Sequence, residues 1–343
     1  MNRKTKALAL FSGGLDSVLA IKVMQEQGVE VIALNFTSYF FGGKNIRADK
    51  MAEQLGVKLE YIDFQERHLA MMKNPIYGMG KNMNPCIDCH SLMFKIAGEL
   101  LKDYNADFII SGEVLGQRPM SQNAQALEKV KKLSGVGDLI VRPLSGKLLP
   151  PTLPMEKGLV DREKLLDIQG RSRQRQLQLV TDYQIIEYET PGGGCLLTDP
   201  AYSLRLRILK DDNFFQDEYS YLFKLIKKAR FFRFECGKYL FVGRDDESNK
   251  IISSHENKGF VHLKTSKVPG PRIMLFGNFS KSEEKLIGEI FSRYSKVKGK
   301  EAIEVNIVQF SNKENNLIRD EKIIVEPIDL NYIEEQIKKY QIT

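Results

Sequence analysis

The most constraining stretch of the chain is its beginning. Residues 6–11, Lys-Ala-Leu-Ala-Leu-Phe, form a short apolar run that ends abruptly at Ser12-Gly13-Gly14. A helical pattern follows through Val18, Leu19, Ile21, Val23 and Met24 and stops near Gly28. A buried strand feeding a helix through a glycine turn opens a parallel α/β unit, because the chain must cross over the sheet before the next strand pairs. The continuation fits: 29–36 reads as a strand, 46–56 as a helix and 58–64 as a third strand. A helix follows Cys86, residues 106–111 read as a fourth strand and 139–141 as a fifth. Residues 66–85 read as looser chain, broken by Pro75, Gly78, Gly80 and Pro85, and 161–168 and 171–180 read as helices. The expected class is α/β, with a parallel sheet and crossover helices.

Past residue 201 the texture changes. Short strands are expected at 231–234, 238–242, 260–262, 272–276, 301–308 and 322–327, with helices near 213–229 and 281–292. This places a boundary within 200–212 and divides the chain into 1–205 and a smaller α+β domain at 206–343, as 343 residues permit. No run of about 18 apolar residues exists, which excludes a helical membrane span. The basic start runs into the glycine turn with no small-residue cleavage site, so it reads as a strand and not a signal peptide, and the expected location is cytoplasmic. Lys and Arg number 51 against 44 Asp and Glu, a net charge of +7 that permits an anionic partner. Four cysteines are too few for a disulfide scaffold, so they are read first as metal or catalytic groups.

Ser12-Gly13-Gly14-Leu15-Asp16-Ser17 has the makings of an anion cradle. Gly13 and Gly14 allow a tight turn with outward N–H groups, and the helix behind adds unpaired N–H groups and partial positive charge. Ser12 and Ser17 supply hydroxyls for phosphate oxygens. Asp16 is an anion beside that site, and its expected role is to help hold Mg²⁺. The loop is neither a Walker loop nor a dinucleotide fingerprint. The hexapeptide resembles the PP-loop of the N-type ATP pyrophosphatases, which include synthetases of GMP, NAD, argininosuccinate and thiolated tRNA bases. The resemblance implies ATP as substrate and adenylation of a carbonyl oxygen with release of pyrophosphate.

Asn84-Pro85-Cys86-Ile87-Asp88-Cys89-His90 is followed far downstream by Gly192-Gly193-Gly194-Cys195. Three thiols without a fourth suit a [4Fe–4S] cluster with one iron left open, the leading reading. Zinc on Cys86, Cys89 and Cys195, with His90 or Cys236 as fourth ligand, is a second use. A persulfide carrier with a resolving thiol is a third. Burial as small hydrophobes is weakest, since the cysteines are expected on loops. Cys236 is expected in a strand, as a structural residue.

The run from Ser111-Gly112-Glu113 through Gly116-Gln117 to Ser121-Gln122-Asn123, and Arg142-Pro143-Leu144 after it, resemble the pyrophosphatase domain of tRNA 4-thiouridine synthetases over roughly residues 6–200. Some members hold a cluster on three cysteines, corresponding to Cys86, Cys89 and Cys195. Independently, Ser111-Gly112-Glu113 follows a strand's carboxyl end, where open α/β sheets bind ligands. Gly112 permits close approach, and Gln117 suits an adenine or base edge. The segment Val242-Gly243-Arg244-Asp245 to Asn249 resembles the RNA-binding domain of the NFACT family over 231–277. Around it bases and aromatics alternate, with Phe231 to Phe234 placed equally well in a core or as stacking platforms. Together these resemblances imply ATP-dependent thiolation of a tRNA uridine, with Asp16, Cys86 and Cys195 at the chemistry. ATP, Mg²⁺ and a cluster are the cofactors, and tRNA and a sulfide or persulfide donor the partners. The alternatives are a persulfide 2-thiouridylase, or an RNA- or ribosome-binding factor. The oligomeric state is left open.

Overall fold

In the computed structural model, β1 (Lys6–Leu10) runs through the middle of a parallel sheet, with Ala7, Leu8 and Ala9 fully enclosed. The structure describes residues 3–44, 46–188, 195–256, 258–265, 267–311 and 316–343. The chain divides into two compact units, Met1–Asp199 and Pro200–Thr343.

In the first unit β1 leads into α1 (Leu15–Glu26), then β2 (Glu30–Thr37), α2 (Ile46–Leu55), β3 (Lys58–Asp63), α3 (Gln65–Lys73) and α4 (Cys86–Leu100). β4 (Phe108–Ser111), α5 (Ala124–Ser134), β5 (Ile140–Val141), α6 (Leu153–Glu156) and α7 (Gln174–Asp182) complete it. The strand order is β3-β2-β1-β4-β5, all parallel. A sheet of this kind must bury both faces. Ala7, Ala9, Val31, Ala33 and Ile110 pack under α1, α2 and α7, while Leu8, Leu34 and Ile109 pack against Phe94 and Ala97 of α4 and Val130 of α5.

Three local expectations are corrected. Residues 65–73 are helical, because His68, Leu69 and Met72 fall on one buried face. Residues 161–168 are not a helix beyond a single 3₁₀ turn at Arg162–Lys164. Their amides pair with another segment instead: Leu166 N–H donates to Pro143 and Ile168 N–H to Leu144, at 2.9 and 2.8 Å, drawing Leu165 and Ile168 into the core. Cys86 and Cys89 lie on α4 and not on a loop.

The second unit is α8 (Pro200–Asp211), α9 (Ser220–Lys228), β6 (Arg230–Glu235), β7 (Lys238–Val242), α10 (Asp246–Ser253), β8 (Val261–Lys264) and β9 (Ile273–Phe276). It continues through α11 (Lys281–Tyr294), β10 (Ile303–Phe310), β11 (Leu317–Val325), α12 (Leu330–Tyr340) and β12 (Gln341–Ile342). The sheet is antiparallel, in the order β11-β10-β8-β9-β7-β6-β12. The expected helix over 213–229 is shorter here, a 3₁₀ turn at Asp217–Tyr219 running into α9. Cys236 is exposed in the turn between β6 and β7 and packs in no strand. Among the described residues no helix is long and apolar enough to cross a membrane.

Leu8 is fully buried at the centre of the first sheet. Leu8→Ala is expected to cost about 2–5 kcal/mol, read as a lowered urea midpoint for the first unit.

Candidate active site

β1 and β4 are neighbours, but the chain leaves them toward opposite sides of the sheet. A crevice therefore opens beyond their carboxyl ends, where open α/β sheets take ligands. Ser12–Ser17 follows β1 into this crevice, and Gly112 follows β4.

Gly13 adopts φ +78°, a conformation glycine takes without strain. Leu15 and Asp16 open α1 and belong to the turn whose N–H groups have no intrahelical partner. The Ser17 hydroxyl donates to the Gly14 carbonyl at 2.8 Å, and Gly14 N–H donates to Ser12 Oγ at 3.3 Å. Both serine side chains thus brace the turn as well as facing it. A Cβ on Gly112 would lie 2.7 Å from the backbone of Asp16 and of Ser17, so only glycine lets the end of β4 reach the first turn of α1.

Asp16 is the hub of a polar network. Gln117 Nε2 donates to Asp16 Oδ2 at 2.6 Å. The fully buried Gln176 donates to Gln117 Oε1 at 2.9 Å and reaches Asp16 Oδ1 at 3.5 Å. Arg173 brings its guanidinium to 3.9 Å from Asp16. Gln176 and Arg173 were not anticipated from sequence. The available signal was a glutamine on the apolar side of a helix carrying Leu179 and Val180.

The cysteines meet nearby. Cys86 and Cys89 stand on the first turn of α4. Asn82 Nδ2 donates to the Thr198 carbonyl at 2.7 Å, tying the turn after Cys195 to the segment before Cys86. All three cysteines line a cavity of about 380 Å³ with Asn84, His90, Arg118, Met120 and Ser121. Gly192–Gly194 lie outside the described residues. Burial, with Cys195, Cys86 and Asp88 adding to it, pushes the Cys89 thiol well up. Burial, with Cys86 adding to it, also raises Cys195. Both are therefore held as thiols at neutral pH. Among the described residues no three His, Cys, Asp or Glu side chains are grouped to hold a metal ion.

Two bridges join the cradle to the cavity. The segment 111–122 carries Gln117 on Asp16 and Arg118 to Ser121 on the cavity wall. The second is ionic: Glu113, next to Gly112, bonds His90 Nδ1 at 2.7 Å and accepts from Arg142 Nε at 2.8 Å. Burial alone would raise the Glu113 carboxyl. The Arg142 charge and the bonds from His90 and Arg142 outweigh it and hold the group at about 2.

In the second unit the Gly243-Arg244-Asp245 segment has a local structural explanation. Asp245 caps α10 in a capping box with Ser248. Asn249 Oδ1 accepts from Arg272 N–H at 2.8 Å, and a Cβ on Gly243 would strike that same oxygen. Phe231 and Phe232 are fully buried, which makes them core and removes them as stacking platforms. Arg233 is bound to Asp212, and Arg230 lies over the Tyr294 ring at 4.3 Å. Lys296, Lys298 and Lys300 stand exposed between α11 and β10.

Residues 3–147 match the family model of thiamine biosynthesis protein (ThiI), and residues 229–333 that of the NFACT protein RNA binding domain. A probable tRNA sulfurtransferase of Thermococcus kodakarensis is 32% identical over 170 residues, 48% of this chain and 39% of the relative. A tRNA-specific 2-thiouridylase MnmA of Sulfurimonas denitrificans is 36% identical over 121 residues, 32% of this chain and 35% of the relative. The chain thus spans little more than a third of these relatives' length. A crystal structure of a 4-thiouridine synthetase–RNA complex with bound ATP aligns with a TM-score of 0.33 at 18% identity, covering 53% of this chain and 52% of that one. The two units are thus each similar to a different family over part of their length, the first to the ThiI model and the second to the NFACT RNA-binding domain model.

The ordinary carboxyl value for Glu113 is 4.5, against about 2 in the fold. Its contribution to stability is present above 4.5 and lost as pH falls through 2. Glu113→Gln is expected to cost about 3–5 kcal/mol at neutral pH, since it leaves Arg142 buried without its counter-charge. In urea titrations the gap to the wild type closes between those two values. Gly112→Ala is expected to cost about 1–3 kcal/mol in the same assay, because the backbone of α1 must give way.

Proposed function

We propose that this chain is a cytoplasmic sulfurtransferase that uses ATP to thiolate a uridine base of tRNA. The observation that carries the reading is the meeting, through one segment at the β1–β4 crevice, of an anion cradle and a cavity lined by three cysteines. An anion cradle alone serves many ATP enzymes. Thiols on its adjoining wall favour sulfur as the incoming atom, and the relatives named for tRNA sulfur transfer and 2-thiouridylation support the same class.

The roles follow from chemistry. Gly13, Gly14 and the opening turn of α1 receive the phosphates, with the Ser12 and Ser17 hydroxyls as further donors. Asp16, oriented by Gln117 and Gln176, would hold Mg²⁺ against them. The base carbonyl oxygen attacks the α-phosphorus, the bond to pyrophosphate breaks, and the base becomes adenylated. Sulfide then attacks that carbon and AMP departs with the oxygen, so no electrons are gained or lost. Cys86, Cys89 and Cys195 would be the residues to hold an iron–sulfur cluster, which would supply a metal able to bind sulfide. Arg118 and Ser121 line the space in which sulfur meets the base, and Glu113 with His90 holds α4 and its cysteines against the crevice. The NFACT-type unit brings the tRNA. The donor of sulfur is sulfide, or a persulfide carrier whose outer sulfur a thiol releases as sulfide while the two thiols end as a disulfide.

In a second route a persulfide carrier passes its outer sulfur to one cysteine, that sulfur attacks the adenylated carbon as AMP leaves, and a second cysteine cleaves the S–S bond, leaving the thiolated base and a disulfide that an external thiol reduces. This route is favoured by thiols that share a cavity without grouping as a single-ion site. Anaerobic purification with iron and acid-labile sulfide analysis separates the two. About four irons per chain are expected for the cluster, and none for the persulfide. Function is tested by mass spectrometry of tRNA nucleosides from a deletion strain, where loss of 4-thiouridine or 2-thiouridine is expected. Asp16→Ala and Cys195→Ala are each expected to fail to restore it. Full restoration by both would favour an RNA-binding factor and overturn the enzyme.

A further inference from the structure

β11 ends the seven-stranded sheet. β10 pairs one edge of it, and among the described residues no strand pairs the other. From Arg319 to Val325 its side chains alternate between two faces, and the pairing with β10 slips by one residue at Ile318, a bulge. Arg319, Ile323 and Val325 turn toward α11: Arg319 bonds Glu284, and Ile323 and Val325 crowd Gly288. The other face carries Asp320, Lys322 and Ile324, all exposed, with Ile324 at 71%, and Ile318 stands exposed at 63% in the bulge. Two large aliphatic residues on an open strand edge form an adhesive surface unless something covers them.

The order of the charges specifies what fits. Laid antiparallel on a second copy of itself about a two-fold axis at Glu321, the strand sets Asp320 opposite Lys322 twice, within its regularly paired stretch Arg319–Val325. Registers displaced by two residues oppose Asp320 to Asp320 or Lys322 to Lys322, and registers displaced by one put mismatched faces together. Charges on an edge strand ordinarily repel a neighbour; here they alternate in sign, so they select a single register. The one like-charged meeting is Glu321 with its own copy. Each of those carboxylates is already bonded to Arg319 at 2.8 Å and Lys281 at 3.3 Å.

We propose that β11 joins two copies of this chain into an isologous dimer whose sheets become one across the axis. Sedimentation equilibrium of the full chain, from micromolar to submillimolar, tests it. A species of twice the 39.2 kDa chain mass is expected. Asp320→Lys and Lys322→Asp each set like charges face to face and are expected to weaken the dimer about tenfold or more. The double variant exchanges the charges and restores complementarity, so it is expected to dimerise again, which a merely misfolded protein does not do. A wild-type chain that stays monomeric throughout overturns the proposal. So does a dimer that both single variants leave intact, because it uses another face.

Discussion

The approach of β4 to the first turn of α1 is the constraint on which the first unit depends. Gly112 permits it, and the backbone of Asp16 and Ser17 leaves no room for a Cβ. Once these two chain segments touch, the next residues in order have little choice. Glu113 turns to Arg142 and His90, while Gln117 falls on Asp16. A single absent methyl thus fixes where the anion cradle ends and where the cysteine cavity begins.

Glu113 makes the second link. A carboxylate buried to this degree costs free energy unless its partners are well placed. Arg142 and His90 both bond it, and the balance favours the charged form. His90 follows Cys89 on α4, so the ionic contact anchors the cysteine helix to the strand end that also carries Gly112. Positioning here is electrostatic and local.

Much of this was legible in the sequence where short-range rules dominate. The alternation of apolar runs and glycine turns revealed the parallel sheet, since β1, β2 and β4 are buried on both faces and read as continuous apolar segments. The glycine turn between β1 and α1 was legible because it is contiguous, from Ser12 to Ser17. Residues 161–168 misled because their spacing is helical, but their amides find partners at Pro143 and Leu144. No local pattern reports such a pairing. Gln176 and Arg173 stayed hidden for the same reason. In the second unit, the aromatics at 231 and 232 carry no sign of which face they occupy until β12 and β7 pair on either side of β6.

The Asp16 network also has a direction in time. Asp16 leaves the ribosome early, whereas Gln176 is added 160 positions later. A nascent chain exposes its glycine turn long before the amide that steadies Gln117 has been made. A chain that ends between Gln117 and Arg173 carries Asp16 with one of its three side-chain partners, so the network at Asp16 closes only once α7 and the residue before it have been made.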